Sequence, residues 1–330
     1  MFHHRELKQQ AEQALNNAAC DAKQLLLIHL GAVCVISFVL TVVSYFLEDA
    51  LNNTVSGLGG IGQRSMIATV IAMLQLLFFV LTPFWQISYR SVSLSIARGK
   101  TADRQNLFAG FRVFGPVLRL YLLLALIFGI VFLGCNYLSS FLYMVTPWGQ
   151  ALSDQLTTAI EQPSDALSDQ AIFNAFADYA IPLLVLNLLL FLIFAIPLFY
   201  RIRLSLFRVM DGQPRALQAI LESAALTKGH RISLLKLDLS YWWYYAAQIL
   251  IGLIAYGDIV LEYLGYPLPW HPAALLFVPY VCYLVLHFGF QFWQKNRVAV
   301  TYALAYEALC RERQAPKHPW SDPNGGSSNQ

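Results

Sequence analysis

Apolar residues in this chain fall in long unbroken runs, separated by shorter polar stretches that carry almost all of the charge. Six runs are long enough to cross a hydrocarbon layer of about 30 Å as a helix: Leu25–Leu47, Met66–Trp85, Val117–Tyr137, Ile181–Tyr200, Tyr241–Val260 and Ala273–Trp293. A backbone in lipid must satisfy its own polar groups, which leaves helices or closed barrels. No run alternates with the period of two that barrel strands require. The expected fold is an all-α, polytopic membrane helix bundle with six transmembrane helices.

The polar stretches have a pattern of their own. "RELKQQAEQALNNAA" places Leu7, Ala11 and Ala14–Leu15 on one side of a helix. "TADRQNLFAGFRVFG" offers Thr101 or Asp103 as an N-cap and puts Leu107, Phe108, Phe111 and Phe114 along one face. In "DGQPRALQAILESAALTKGH", Pro214 suits a first helical turn and Gly229 a helix stop, with Leu217, Ile220, Leu221 and Ala224 as the apolar stripe between them. These are expected to be amphipathic helices lying at the membrane interface. On the far side, Trp148 to Ile160 and Ile172 to Tyr179 also repeat at helical spacing. The chain divides into an amphipathic N-terminal helix (1–24), the six-helix transmembrane domain (25–309) and a polar, Pro/Gly/Ser-rich tail (310–330) expected to be disordered.

The exits of the second and fourth runs rhyme. "FFVLTPFWQISYR" and "LIFAIPLFYRIR" each place a proline, Pro83 and Pro197, before an aromatic–arginine exit, with Gly99 and Gly212 following at nearly equal distance. The sixth run leaves as "FGFQFWQKNR". This suggests three related helix hairpins, each sending its second helix beyond the membrane.

Charge gives the bundle a direction. Only 12% of the 330 residues are charged and 57% are hydrophobic, against about 25% charged in a soluble domain. Of the 22 Lys and Arg, all but Arg64 fall at the N-terminus, in the second and fourth connections or at the C-terminus. Basic residues are retained on the cytoplasmic side, so both termini are expected there, in a bacterial cytoplasmic membrane. Tyr241–Tyr245 then sits at headgroup level, preceded by Lys228, Arg231 and Lys236, each attracted to anionic lipid by about 1 kcal/mol.

Little else in the chain suggests chemistry. The five cysteines (Cys20, Cys34, Cys135, Cys282, Cys310) are scattered and unpaired in pattern, unlike a disulfide framework or zinc site. The histidines outside the runs, His271 on a proline-bracketed outer turn among them, lack metal-ligand spacing. No nucleophile elbow, zincin motif or catalytic carboxylate pair is present, so no cofactor, metal or enzymatic role is expected. The basic charge follows one membrane face rather than forming a separate module, which argues against nucleic acid. Two constellations stand out. Ser223, Lys228, Gly229, Arg231 and Lys236 could hold an anion or lipid headgroup, and Asp238 stands near Lys236 and Arg231, either of which it could pair with. Within the runs, ionised groups would cost about 2.5–3.5 kcal/mol, and only His29, Gln75, Asn187, Gln248 and His287 are polar enough to matter. His287, Gln248 and Asn187 form a candidate polar path.

The chain resembles a bacterial integral-membrane family catalogued as domain of unknown function 975. The likeness rests on "RELKQQA", "SIARGKT", "LFAGFRVFG", "VPYV" and "YALAYEAL", and most densely on "MDGQPRALQAILESAALTKGHRISLLKLDLSYWW". It departs from the family at Pro197–Leu198, where Pro-Gly is common, and at Trp242–Trp243, where Gly-Trp is. The resemblance implies a multipass bacterial membrane protein and no established activity. The expected role is a non-enzymatic envelope protein that contacts anionic lipids, a membrane-protein partner or a second copy of itself. The alternative is a small-molecule or peptide permease or exporter.

Overall fold

The computed structural model describes residues 4–52, 58–147, 149–151, 169–212, 215–254 and 272–314, and within them every regular element is helical. The elements are α1 (His4–Asn17), α2 (Ala19–Asn52), α3 (Leu58–Ala97), a 3₁₀ turn (Arg104–Phe108), α4 (Ala109–Arg112), α5 (Phe114–Val145), α6 (Asp169–Ile202), α7 (Ser205–Gly212), α8 (Ala216–Leu226), α9 (Arg231–Leu239), α10 (Trp242–Ile254) and α11 (Pro272–Gln314).

Burial is concentrated where the basic residues are. In α2 it follows helical spacing through Ala22, Leu25, Leu26, His29 and Leu30, and then stops. Helix α3 buries Phe84, Ile87, Ser88, Tyr89, Val92 and Ser93, and α11 buries Val300, Thr301, Ala303, Ala305, Tyr306 and Leu309. These ends of α2, α3 and α11 meet in one core with Ala11 of α1 and Leu107. A second core joins α3, α5, α7 and α8 through Phe84, Val117, Leu120, Val209 and Ala219. Away from this basic end the helices stay largely uncovered. Ala22–Leu47, Phe114–Val145 and Pro182–Gly212 are long and apolar enough to cross a membrane, yet only 11 to 17% of their most apolar stretch is buried. Leu, Ile, Val and Phe surface on that scale exceeds what a soluble monomer exposes; hydrocarbon is the solvent that suits it.

The other three predicted spans lie within α3, α10 and α11. Trp242–Ile254 covers the start of the fifth, and the remainder, with Asp258, falls outside the described residues. So do His271, Pro214, 152–168 and the tail beyond Gln314, while the side chains of Gln75 and Pro83 are likewise not described.

Two expectations about the connections need correction. The second connection is not one amphipathic helix but a 3₁₀ turn followed by the single turn α4. Asp103 caps it, accepting from the Arg104 amide at 2.6 Å. Leu107 points inward, while Phe108, Phe111 and Phe114 stay at least a third exposed and gather around Phe84 and Trp85. The reason is a close approach. The Gly110 amide donates to Ser88 Oγ at 3.0 Å, and Ser88 in turn donates to the Phe84 carbonyl at 2.9 Å. In α8 the predicted stripe is split: Ala219, Ile220, Ser223 and Leu226 face the core, whereas Leu217 and Leu221 are exposed.

The hairpin rhyme is partly realised. Helices α3 and α11 run on past their predicted spans to Ala97 and Gln314, but α6 stops at Ile202 and the chain turns into the separate helix α7. Gly99, at φ +67°, closes α3 with paired backbone bonds, Lys100 N to Ser95 O and Gly99 N to Ile96 O. Gly212, its counterpart in sequence, ends α7 without positive φ; Gly229, at φ +85°, is the other glycine of that kind among the described residues.

A methyl group at Gly110 would stand 2.5 Å from the Phe84 carbonyl oxygen and 2.6 Å from Ser88 Oγ, whereas one at Gly115 meets nothing within 4 Å. Gly110→Ala is therefore expected to lower the thermal unfolding midpoint in detergent, by the equivalent of about 1–3 kcal/mol. Gly115→Ala should leave it unchanged.

Candidate functional site

At the turn that follows α6, Arg203 meets Asp238 of α9 in a two-pronged pair. Nη2 donates to Oδ1 at 2.5 Å and Nη1 to Oδ2. Tyr200 donates to Oδ2 at 2.6 Å and Tyr302 to Oδ1. The guanidinium also lies 4.3 Å from the centre of the Tyr302 ring. Asp238 thus accepts from four donors and pairs with neither of the cations expected from sequence. Lys236 is two residues away on a helix, where side chains do not face each other, and is exposed. Arg231 is about two helical turns away.

A second network lies nearby. Arg98 donates to Asp211 at 2.6 Å and to Glu307 at 2.7 Å, and Tyr306 donates to Asp211 at 3.0 Å. Arg208 pairs with Glu222 and donates to Tyr306 at 3.3 Å. Burial opposes ionisation of Glu222, but bonds from Arg208 and Gln218 outweigh it and hold the carboxyl below its ordinary range. These pairs pin α3, α7, α8 and α11 to one another. At their partial exposure they are screened and add little stability singly.

The aromatic run Tyr241–Tyr245 is divided between a buried face and an exposed one. Tyr241 and Tyr244 are buried, bonded to Thr301 at 2.9 Å and to Gln291 at 2.9 Å. Trp242 is exposed and Trp243 and Tyr245 partly so. From α1, Lys8 donates to the Ser240 carbonyl at 2.9 Å and lies 4.0 Å over the Tyr241 ring. A cation there satisfies a carbonyl at the end of α9, as helix C-termini favour.

The predicted anion residues separate into structural and accessible ones. Ser223 is fully buried, donating to the Arg201 carbonyl at 2.8 Å and accepting from the Leu204 amide at 3.1 Å. It clamps α8 beneath the turn after α6. Lys228, Gly229 and Arg231 do come together, with Arg201, around an open depression floored by Ala224, Ala225 and Ile232. Lys236 lies outside it, on the outward stripe of α9 with Ile232, Leu235 and Leu239.

Of the predicted polar path, Gln248 accepts from Gln291 at 3.0 Å, His287 lies against the Tyr283 ring and Asn187 is half-buried on α6. Gln291 links the first of these to a cavity of about 470 Å³ between α3, α5, α6, α10 and α11, whose wall includes none of the three. Three cations line that cavity: Arg90, Arg203 and Lys295. The Lys295 Nζ is 2.8 Å from His29 Nε2. Among the described residues no group of His, Cys, Asp and Glu is placed to hold a metal ion.

Residues 1–308 match the family described as "Protein of unknown function (DUF975)". The chain belongs to this family. No curated protein and no solved structure matches the chain. DUF975 membership covers α1 through nearly all of α11, so both networks and the cavity lie inside the family region.

Sequence reading missed the partners of Asp238 and the placing of Arg90 and Lys295 in the wall of one cavity. The first joins residues 35 and 64 apart, beyond any local spacing rule. Removing one partner of a largely buried pair costs about 3–5 kcal/mol. Asp238→Asn is thus expected to lower the unfolding midpoint sharply, and Arg203→Met combined with Asp238→Leu to recover part of the loss.

Proposed function

We propose that this protein is a non-enzymatic, six-span protein of the bacterial cytoplasmic membrane, with both termini in the cytoplasm, whose basic end binds the anionic headgroups of the adjoining leaflet. The supporting observation is the outer surface of α8 and α9. Arg201, Lys228 and Arg231 converge on a depression with no acidic residue in its wall. Beside it runs an exposed stripe of Ile232, Leu235, Lys236 and Leu239, joined by Leu217, Leu221 and Trp242. Cations next to apolar side chains at one level match the requirements of a lipid interface. Gly229 at positive φ leaves the backbone beside the depression free of a side chain. The uncovered faces of α5 and α6 leave room for a membrane-protein partner or a second copy.

The permease alternative needs His287, Gln248 and Asn187 along one path. Gln248 is engaged by Gln291, and His287 by Tyr283, which favours packing within the bundle for both.

Changing Arg201, Lys228 and Arg231 together to Gln is expected to reduce retention of phosphatidylglycerol by the purified protein at least tenfold, read by native mass spectrometry, with phosphatidylcholine unaffected; equal retention counts against headgroup binding. A reporter fused within 154–178 is expected to be active only outside the cytoplasm, and cytoplasmic activity would reverse the topology.

A further inference from the structure

The cavity between α3, α6 and α11 has a charge imbalance that its surroundings do not correct. Arg203 is neutralised by Asp238. Arg90 and Lys295 have no carboxylate within ion-pair distance among the described residues. Arg90 packs 5.5 Å from the centre of the Phe207 ring, and Lys295 has His29 and, 5.1 Å away, the ring of Tyr89. Each is partly buried, and both line the cavity. A cation partly withdrawn from water without a counter-ion is costly, and two of them in one wall favour negative charge beside them.

The rest of the wall narrows the chemistry. Gln86 offers an amide, and Leu124, Phe128 and Phe199 supply apolar lining. A lining that combines donors, cations and apolar side chains suits a molecule that is ionic at one end and apolar at the other.

We propose that this cavity binds a phosphate or carboxylate group between Arg90 and Lys295, with any attached hydrocarbon against Leu124 and Phe128. The site lies inside the bundle and shares no residue with the surface depression of Arg201, Lys228 and Arg231. It stands or falls independently of the headgroup reading above.

The test uses the full chain in a non-ionic detergent. Native mass spectrometry follows retention of phosphatidylglycerol and of lysophosphatidic acid, with phosphatidylcholine as control and inorganic phosphate as competitor. Arg90→Gln and Lys295→Gln are each expected to weaken retention of the anionic lipid tenfold or more, the loss of one charge-assisted contact. Arg90→Lys keeps the charge and should retain most binding. Leu124→Trp, which fills the apolar side, should displace the lipid with every cation in place. The Arg201, Lys228 and Arg231 triple variant should keep this ligand. Removal of an uncompensated charge should also leave the unfolding midpoint of delipidated Arg90→Gln equal to or above that of the parent, whereas a purely structural arginine would give a fall. Competition by millimolar phosphate assigns a free anion, and insensitivity to it assigns a lipid headgroup. Folded Gln variants that retain anionic lipid as the parent does, or a parent that holds phosphatidylcholine equally well, would overturn the proposal.

Discussion

One carboxylate organises the basic end of this molecule. Asp238 takes both prongs of the Arg203 guanidinium and the hydroxyls of Tyr200 and Tyr302, so α6, α9 and α11 share a single ionic centre. The arrangement is favourable only as a whole. An arginine largely withdrawn from water needs its counter-charge, and a carboxylate so placed needs its lone pairs filled. Four donors on one acid meet both needs, and the position of α9 follows from them.

The architecture that results has two unlike regions. At the basic end, short helices, buried serines and paired charges pack as they would in a soluble protein. Ser223, Ser88 and Thr227 are all fully buried and all bonded to backbone. Beyond it, α2, α5 and α6 extend as apolar helices with little covering them. The polar region therefore supplies much of the specific contact that sets the helices in place, and the uncovered apolar lengths add mainly bulk hydrophobicity.

Much of this division was legible in the residues. Apolar run length marked α2, α5 and α6, and the stripe Leu7–Ala11 marked the buried face of α1, because both signals are local. Asp103 as a cap was legible for the same reason. What sequence could not reveal was how each amphipathic segment would turn. Leu217 and Ile220 look equivalent on a helical wheel, yet only Ile220 is buried, since the choice depends on Ser223 reaching the turn after α6. The second connection misled because Gly110 gave no sign that a helix backbone would press against it. Arg90 and Lys295 line one cavity from two helices some two hundred residues apart, and no periodicity encodes that.

The contact between Lys8 and the Ser240 carbonyl has a consequence for biosynthesis. Its two partners are separated by 232 residues, so the ribosome exposes the ammonium long before the acceptor exists. At about 5–20 residues per second, α1 waits on the order of ten to fifty seconds for its seat on α9 and α11. Its apolar side, Leu7 and Ala11, is small and its remaining surface polar, which lets the segment stay soluble through that delay. The seat of α1 is thus completed only after α9 and α11 have been made, whatever contacts it forms earlier with α2 and α3.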